Sequence, residues 1–276
     1  MAKNEKGTAP PSTELAAPTP TAEAALALAL NGGSMETGFE DMRSDEFLMP
    51  LLVILQKLSP QLDPDKAKYI PGAKVGQFLD VSTGELFDEV HVIPCLTRQQ
   101  MVEWKPNRGG FVASHDPGIE YGLPRNEKGQ FIRPSGNILM DTRYWYLLRL
   151  TQDGKVVPNI FPMTSTSIAV SKEWASRLSG RKVDGPKGRF TPPMWLNVCK
   201  ITSVTQTKGE HTWKQPKVEL ERLLTDKEAA IFQQAQDART TFQQTASKMR
   251  PPVEADDVDP TTLKDAKVVD KNPHLG

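Results

Sequence analysis

Apolar side chains fill nearly every position of residues 47–56, from Phe47 through Leu51, Leu52, Val53, Ile54 and Leu55. A run of that kind is an element buried on both faces, either a strand or a short helix. Pro50 within it indicates an edge or an element start. Further on, the apolar runs shorten and alternate. Ile70-Pro71-Gly72 is a turn, because Pro presets one φ and Gly supplies the other. Residues 75–81 and 90–96 read as strands joined through Ser82-Thr83-Gly84-Glu85, with a third short strand at 101–105. Residues 107–134, rich in Gly and Pro, read as a long irregular loop, a type that is functional or disordered in compact domains.

Residues 142–150, rich in Tyr, Trp and Leu, carry the clearest strand pattern, and Gln152-Asp153-Gly154 folds them back onto 156–163. Residues 168–178 read as a helix capped by Ser167 or Ser171, with Ile168, Trp174, Ala175 and Leu178 on one face. A basic, Gly-containing loop at 177–189 leads to a strand at 194–205. Thr207-Lys208-Gly209-Glu210 then turns into a last strand at 212–220. From Thr225 the period becomes helical. Thr225 with Glu228 makes a capping box, and Ile231, Ala235, Ala238, Phe242 and Met249 share a face until Pro251 and Pro252. Hairpin-joined strands imply an antiparallel sheet, and short strands with an inserted helix suit a small closed or partly open barrel. The expected fold is mainly β. It comprises a disordered N-terminal region (1–46), a β-barrel domain (47–224), a C-terminal helix (225–250) and a flexible acidic tail (251–276).

Charge sharpens this division. The formal net charge is zero, yet residues 1–46 hold three basic and eight acidic side chains and residues 251–276 hold three and six. The middle keeps 28 basic and 20 acidic residues, a net charge of +8. A basic body favours a polyanionic partner, although ordinary surface charge fits the same numbers. Residues 22–30 are the longest apolar stretch near the N-terminus. They are too short to span a bilayer and lack the basic start of a signal peptide. No membrane association is expected. Cys95 and Cys199 match no zinc or redox spacing and read as buried thiols, with a disulfide left open.

Candidate chemistry is sparse. Gly180 and Gly185 have phosphate-loop spacing, but Pro186-Lys187 replaces the Gly-Lys pair. His91, His115, His211 and His274 are not at metal-ligand spacing, and only His115, in the long loop, invites attention. Asp80, Glu85, Asp88 and Glu89 cluster at one hairpin, where a solvated turn is the simpler reading than a metal site. Without a nucleophile, base or metal constellation, neither enzymatic activity nor a cofactor is expected.

Binding single-stranded nucleic acid requires cations that track phosphates and aromatic faces that stack on bases. The chain interleaves the two. Trp104 and Lys105 lead into Arg108 and Phe111. Arg143, Tyr144, Trp145 and Tyr146 precede Arg149. Lys172 and Trp174 precede Arg177, Arg181, Lys182, Lys187, Arg189 and Phe190, and Trp213 lies on the last hairpin. Strand alternation puts Trp145 and Leu147 toward a core and Tyr144 with Tyr146 toward a groove, or the reverse. The expected phosphate contacts are Lys105, Arg108, Arg143, Arg149, Lys172, Arg181, Lys182, Lys187 and Arg189. Stacking is expected from among Trp104, Phe111, Tyr144, Tyr146 and Trp213.

Several short pieces carry a resemblance. They are Asp45-Glu46-Phe47-Leu48-Met49-Pro50, Leu58-Ser59-Pro60, Ile70-Pro71-Gly72-Ala73, Thr83-Gly84-Glu85, Val92-Ile93-Pro94, Val102-Glu103-Trp104, Gly109-Gly110-Phe111, Thr164-Ser165-Thr166 and Ser171-Lys172-Glu173-Trp174. Across residues 45–215 the pattern resembles tailed-bacteriophage single-stranded-DNA-binding proteins. That resemblance implies an OB-fold barrel and sequence-tolerant binding and protection of single-stranded DNA in phage replication and recombination. It also implies residence in the host bacterial cytoplasm. An acidic tail, here with Asp256, Asp257 and Asp259, would recruit replication or recombination proteins, though this one lacks an apolar tip. The alternative is a virion or assembly protein acting through protein contacts.

Overall fold

The computed structural model describes residues 50–245, except 107, 108 and 128. The expectations for residues 1–46, for the acidic tail, for Arg108 and for Met249 lie outside the described residues. The chain forms β1 (Leu52–Ile54), β2 (Phe78–Asp80), β3 (Leu86–Phe87), β4 (Glu89–Trp104), β5 (Phe111–His115), β6 (Phe131–Ile132), β7 (Ile138–Leu150) and β8 (Val156–Thr164). Helix α1 (Ser167–Gly180) follows, then β9 (Val183–Gly185), β10 (Gly188–Phe190), β11 (Asn197–Lys208), β12 (His211–Leu223) and helix α2 (Ala229–Thr245). No helix among the described residues is long and apolar enough to cross a membrane.

Every ladder pairing between named strands is antiparallel. The main sheet runs β12-β11-β4-β7-β6, with β5 also on β4 and β8 also on β7. Strand β4 is its spine. The sequence pattern divides it into strands at 90–96 and 101–105, but it is one 16-residue strand. Polar Thr97, Arg98, Gln99 and Gln100 read as a break, yet they pair with Trp145, Tyr144, Arg143 and Thr142 of β7. The ladder itself satisfies their backbone, so the alternation of side chains is not needed to keep the strand. A register shift between Pro94 and Leu96 leaves Cys95 as the extra residue of a bulge in β4, beside a proline that lacks an N–H. Two further expectations are corrected. Residues 107–134 are not one irregular loop, because they contain β5 and β6. Residues 177–189 are the last turn of α1 followed by most of the β9–β10 hairpin.

The ladder does not close into a barrel. Strands β12 and β8 are opposite edges of the sheet, and the antiparallel β1–β2 pair lies between them. On the β8 side, Leu51 forms a parallel bridge with Ile160, and the Ile160 N–H donates to the Pro50 carbonyl at 2.7 Å. On the β12 side, side chains replace the ladder. Gln56 Nε2 donates to the Lys214 carbonyl at 3.0 Å, and the Lys214 N–H donates to Gln56 Oε1 at 2.9 Å. Ser203 Oγ donates to the Gly76 carbonyl at 2.6 Å. A Cβ at Gly76 would lie 2.8 Å from that hydroxyl oxygen, and Gly76 (φ +94°) and Gly72 (φ +83°) both have positive φ, so glycine serves both turns.

The sheet buries apolar residues on both faces. On one, Trp145, Leu147, Phe161, Met163 and Ile201 pack with Trp174 and Leu178 of α1. The Trp145 and Trp174 rings stack at 3.8 Å. Ser171, expected as a cap, instead accepts from Trp145 Nε1 at 2.8 Å, and Ala175 is exposed. On the other face, Tyr144, Tyr146, Leu148 and Val198 pack with Ala235 and Phe242 of α2. The capping box forms as expected, with the Thr225 N–H donating to Glu228 Oε2 at 2.9 Å. Glu228 also receives both Arg222 Nη1 and Nη2 at 2.8 Å. Arg222 and the Thr225 N–H hold the Glu228 carboxyl down at about 2.

Candidate nucleic-acid interface

The residues expected to bind nucleic acid separate by accessibility. Trp104 is buried, with its ring edge-on to half-buried Phe111 at 6.0 Å. Tyr144 and Tyr146 are buried, which corrects the expectation of an open groove: Phe242 of α2 lies 5.3 Å from the Tyr146 ring. Burial pushes both phenols upward.

Arg149 is also buried, so it is not a phosphate contact in this state. Its guanidinium lies 3.3 Å from Asp80 Oδ2 and from Glu85 Oε2, donates to Asn159 at 3.1 Å, and covers the Phe87 ring at 4.3 Å. Burial opposes ionisation of Asp80. Hydrogen bonds from Ser82 and Asn159, with the Arg149 charge, outweigh it and hold the carboxyl below its ordinary value. The carboxylates around this hairpin serve separate partners. Gln77 Nε2 donates to Asp88 at 3.0 Å, and Lys200 pairs with Glu89 at 2.6 Å.

Three of the expected phosphate contacts, Lys182, Lys187 and Arg189, are exposed together at the β9–β10 hairpin. Its ladder pairs Gly188 with Gly185, Arg189 with Asp184 and Phe190 with Val183, leaving Lys187 exposed at the tip. Lys182 and Arg189 are exposed as well, against the single carboxylate of Asp184. Phe190 is 44% exposed. Its ring lies so close over Gly185 that a Cβ there would come within 2.8 Å of it. The hairpin is rooted by Arg181, which donates to Asn197 Oδ1 at 2.8 Å, while Asn197 Nδ2 donates to the carbonyls of Pro193 and Met194. Arg181 is therefore a structural anchor. Lys172 is exposed on α1.

A second arm extends from the far end of β4, where β5 and β6 flank β4 and β7. Lys105 is exposed at its β4–β5 turn. Arg125 lies 3.8 Å over the Phe131 ring, and Tyr121 is 83% exposed. Buried Glu103 ties the arm together. It accepts from Asn137 Nδ2 at 2.7 Å, meets His115 Nε2 at 2.6 Å, and lies 3.7 Å from Arg133. Burial works against its charge, and these donors more than compensate. His115 thus serves as a structural partner of Glu103. Trp213, half-buried, pairs with Gln206 beside the β11–β12 turn. Arg143 is half-buried and paired with Asp141 at 3.2 Å.

Sequence reasoning named Phe190 among the aromatics beside cations but left it out of the expected stacking set, and it assigned no role to Tyr121 or Arg125. A flanking signal existed for two of them: Phe190 adjoins Arg189, and Tyr121 sits beside Gly122 in a polar stretch. The two cysteines are free and buried, and burial pushes Cys95 up to about 12 and Cys199 to about 11. Residues 21–248 match a protein family described as Pam3 phage gp34-like protein. No curated protein and no solved structure matches the chain.

Proposed function

The chain belongs to the Pam3 phage gp34-like protein family, and we propose that this bacteriophage protein binds single-stranded DNA without sequence preference during phage replication or recombination. One observation carries the reading. Strands β4, β7, β8, β11 and β12 lie in the order β12-β11-β4-β7-β8, with α1 between β8 and β11. Numbered one to five along the chain, that is 5-4-1-2-3, with a helix between the third and fourth strands. We read this order as supporting an OB-fold opened between its third and fifth strands, with the β1–β2 pair in the opening.

OB-folds hold oligonucleotides on the face of strands two and three, between the loop after strand one and the loop between strands four and five. On this reading those parts correspond to β7–β8, the 105–137 arm and the β11–β12 turn. Lys105 and Phe111 lie on the first loop, and Trp213 lies beside the second. The β9–β10 hairpin, with Lys182, Lys187, Arg189 and Phe190, adds an exposed basic and aromatic extension of the kind that follows a phosphate backbone.

The test is fluorescence anisotropy of a labelled dT oligonucleotide titrated with the full chain. Affinity is expected to fall log-linearly with salt as counterions are released, and duplex competitor is expected to displace poorly. Intrinsic tryptophan quenching is a weaker readout, because Trp104, Trp145 and Trp174 are buried. No anisotropy change at low salt refutes the reading. Detection of the protein in purified virions without DNA affinity would favour an assembly role.

A further inference from the structure

We infer that α2 is a displaceable cover on a stacking face formed by Arg98, Tyr144 and Tyr146, and that single-stranded DNA and the helix compete for that face. The inference rests on the DNA-binding reading above and adds where the bases stack and what regulates access.

The register makes the face. Arg98 of β4 lies directly opposite Tyr144 of β7, and Tyr144 opposite Pro162 of β8; two residues on, Leu96 faces Tyr146 and Tyr146 faces Ile160. Directly opposed residues point to one side of a sheet. Two tyrosines of the second strand and a guanidinium of the first thus share one side of the 5-4-1-2-3 sheet, next to the third strand. Tyrosine faces and an arginine are the groups that stack on unpaired bases and meet their phosphates.

What covers them is slight. Among the described side chains of α2, Ala235 and Phe242 are the buried ones. Ile231, Phe232 and Ala238 are partly buried, and the remainder is chiefly Gln, Thr, Asp and Arg. Phe242 sits on Tyr146, and Arg98 Nη2 reaches the Gln243 carbonyl at an exposed 3.4 Å. Arg239 makes a cation–π contact with Trp195 at 4.8 Å, in the turn that precedes β11. The N-terminal end is held differently, by the Arg222–Glu228 pair and the Thr225 box. The helix is therefore tethered at its start and lightly seated at its end, so it can lift about residues 223–225 without leaving the molecule.

If the uncovered state is populated at about one part in ten, covering weakens apparent DNA affinity about tenfold. Hydrogen exchange on the full wild-type chain, with and without dT oligonucleotide at anisotropy-defined saturation, reads the competition directly. Amides of 229–245 are expected to exchange faster when DNA is bound, while those of α1 do not change. Oligonucleotide binding with α2 unchanged or protected overturns the inference and leaves the DNA-binding reading standing. The full-chain Phe242→Ala variant is expected to bind about tenfold tighter, and adding Tyr146→Leu is expected to remove that gain. Wild-type affinity in Phe242→Ala, despite freely exchanging α2 amides, also overturns it. Absence of binding by both wild type and Phe242→Ala refutes the underlying reading and the cover with it.

Discussion

The two helices cover opposite faces of the same sheet, but they are attached in different ways. Helix α1 is anchored by the Trp145–Trp174 stack, by the Trp145 Nε1 bond to Ser171, by buried Leu178, and by Arg177 donating to the Val218 carbonyl at 2.8 Å. Two fully buried tryptophans make it continuous with the core. Helix α2 contributes one buried aromatic and one buried alanine, and its polar contact at the C-terminal end is exposed. A helix on a sheet is thus not by itself a core element. The chemistry of its anchors decides whether it can leave while the fold persists.

The largest expected effect lies on the α1 side. Trp174→Ala removes half of the central stack and should cost about 3–5 kcal/mol in urea unfolding. A loss below about 1 kcal/mol would contradict the core role of α1. Of similar size, Arg149→Met leaves Asp80 buried without its cation, at about 3–5 kcal/mol. The sign with pH follows from the lowered Asp80 carboxyl. Its contribution is complete above the ordinary value of 3.8 and is lost as pH falls through the depressed folded value. Urea midpoints between pH 2 and pH 6 should therefore drop at the acid end in wild type and much less in Asp80→Asn.

Phe242→Ala should cost less, about 1.5–3 kcal/mol, and confine the loss to α2 exchange. If its cost equals that of Trp174→Ala and all elements loosen together, the contrast between the helices disappears. Glu228→Gln should weaken the start of α2 by about 0.5–2 kcal/mol. In wild type this cap is complete above the ordinary 4.5 and lost as pH falls toward about 2. Smallest for stability is the combined change of Lys182, Lys187 and Arg189 to Ala, within about 0.5 kcal/mol. Its signature should be a salt slope for single-stranded DNA shallower by about 2. An unchanged slope would remove the β9–β10 hairpin from the interface.

Much of the architecture was readable from local pattern. The turns at Gly72, Gly84, Gly154 and Gly209 all have glycines with positive φ, as their sequences suggest. The Thr225–Glu228 box and the helical face through Ala235 and Phe242 also followed from spacing, since capping and amphipathicity are local. The candidate site was less legible. Arg149 looks like a phosphate contact until Asp80, 69 positions away, is placed against it. Trp104 looks like a stacking group, and Tyr144 looks openly placed, until their burial is known. Phe190, passed over as a binding residue, is exposed.

The sequence alone determined that strands alternate with tight turns, that the middle of the chain is basic, and that its aromatics lie beside cations. Those properties depend on neighbours a few residues apart and on composition. Tertiary structure decided that β4 runs unbroken through a polar stretch, that the sheet stays open with β1–β2 in its gap, and which face each helix covers. It also decided which cations reach solvent and which are committed to buried carboxylates. The physical reason is common to all of these. Pairing partners and burial are set by contacts between residues distant in sequence, and period-two alternation leaves open which side of a strand, as with Tyr144 and Trp145, meets which helix.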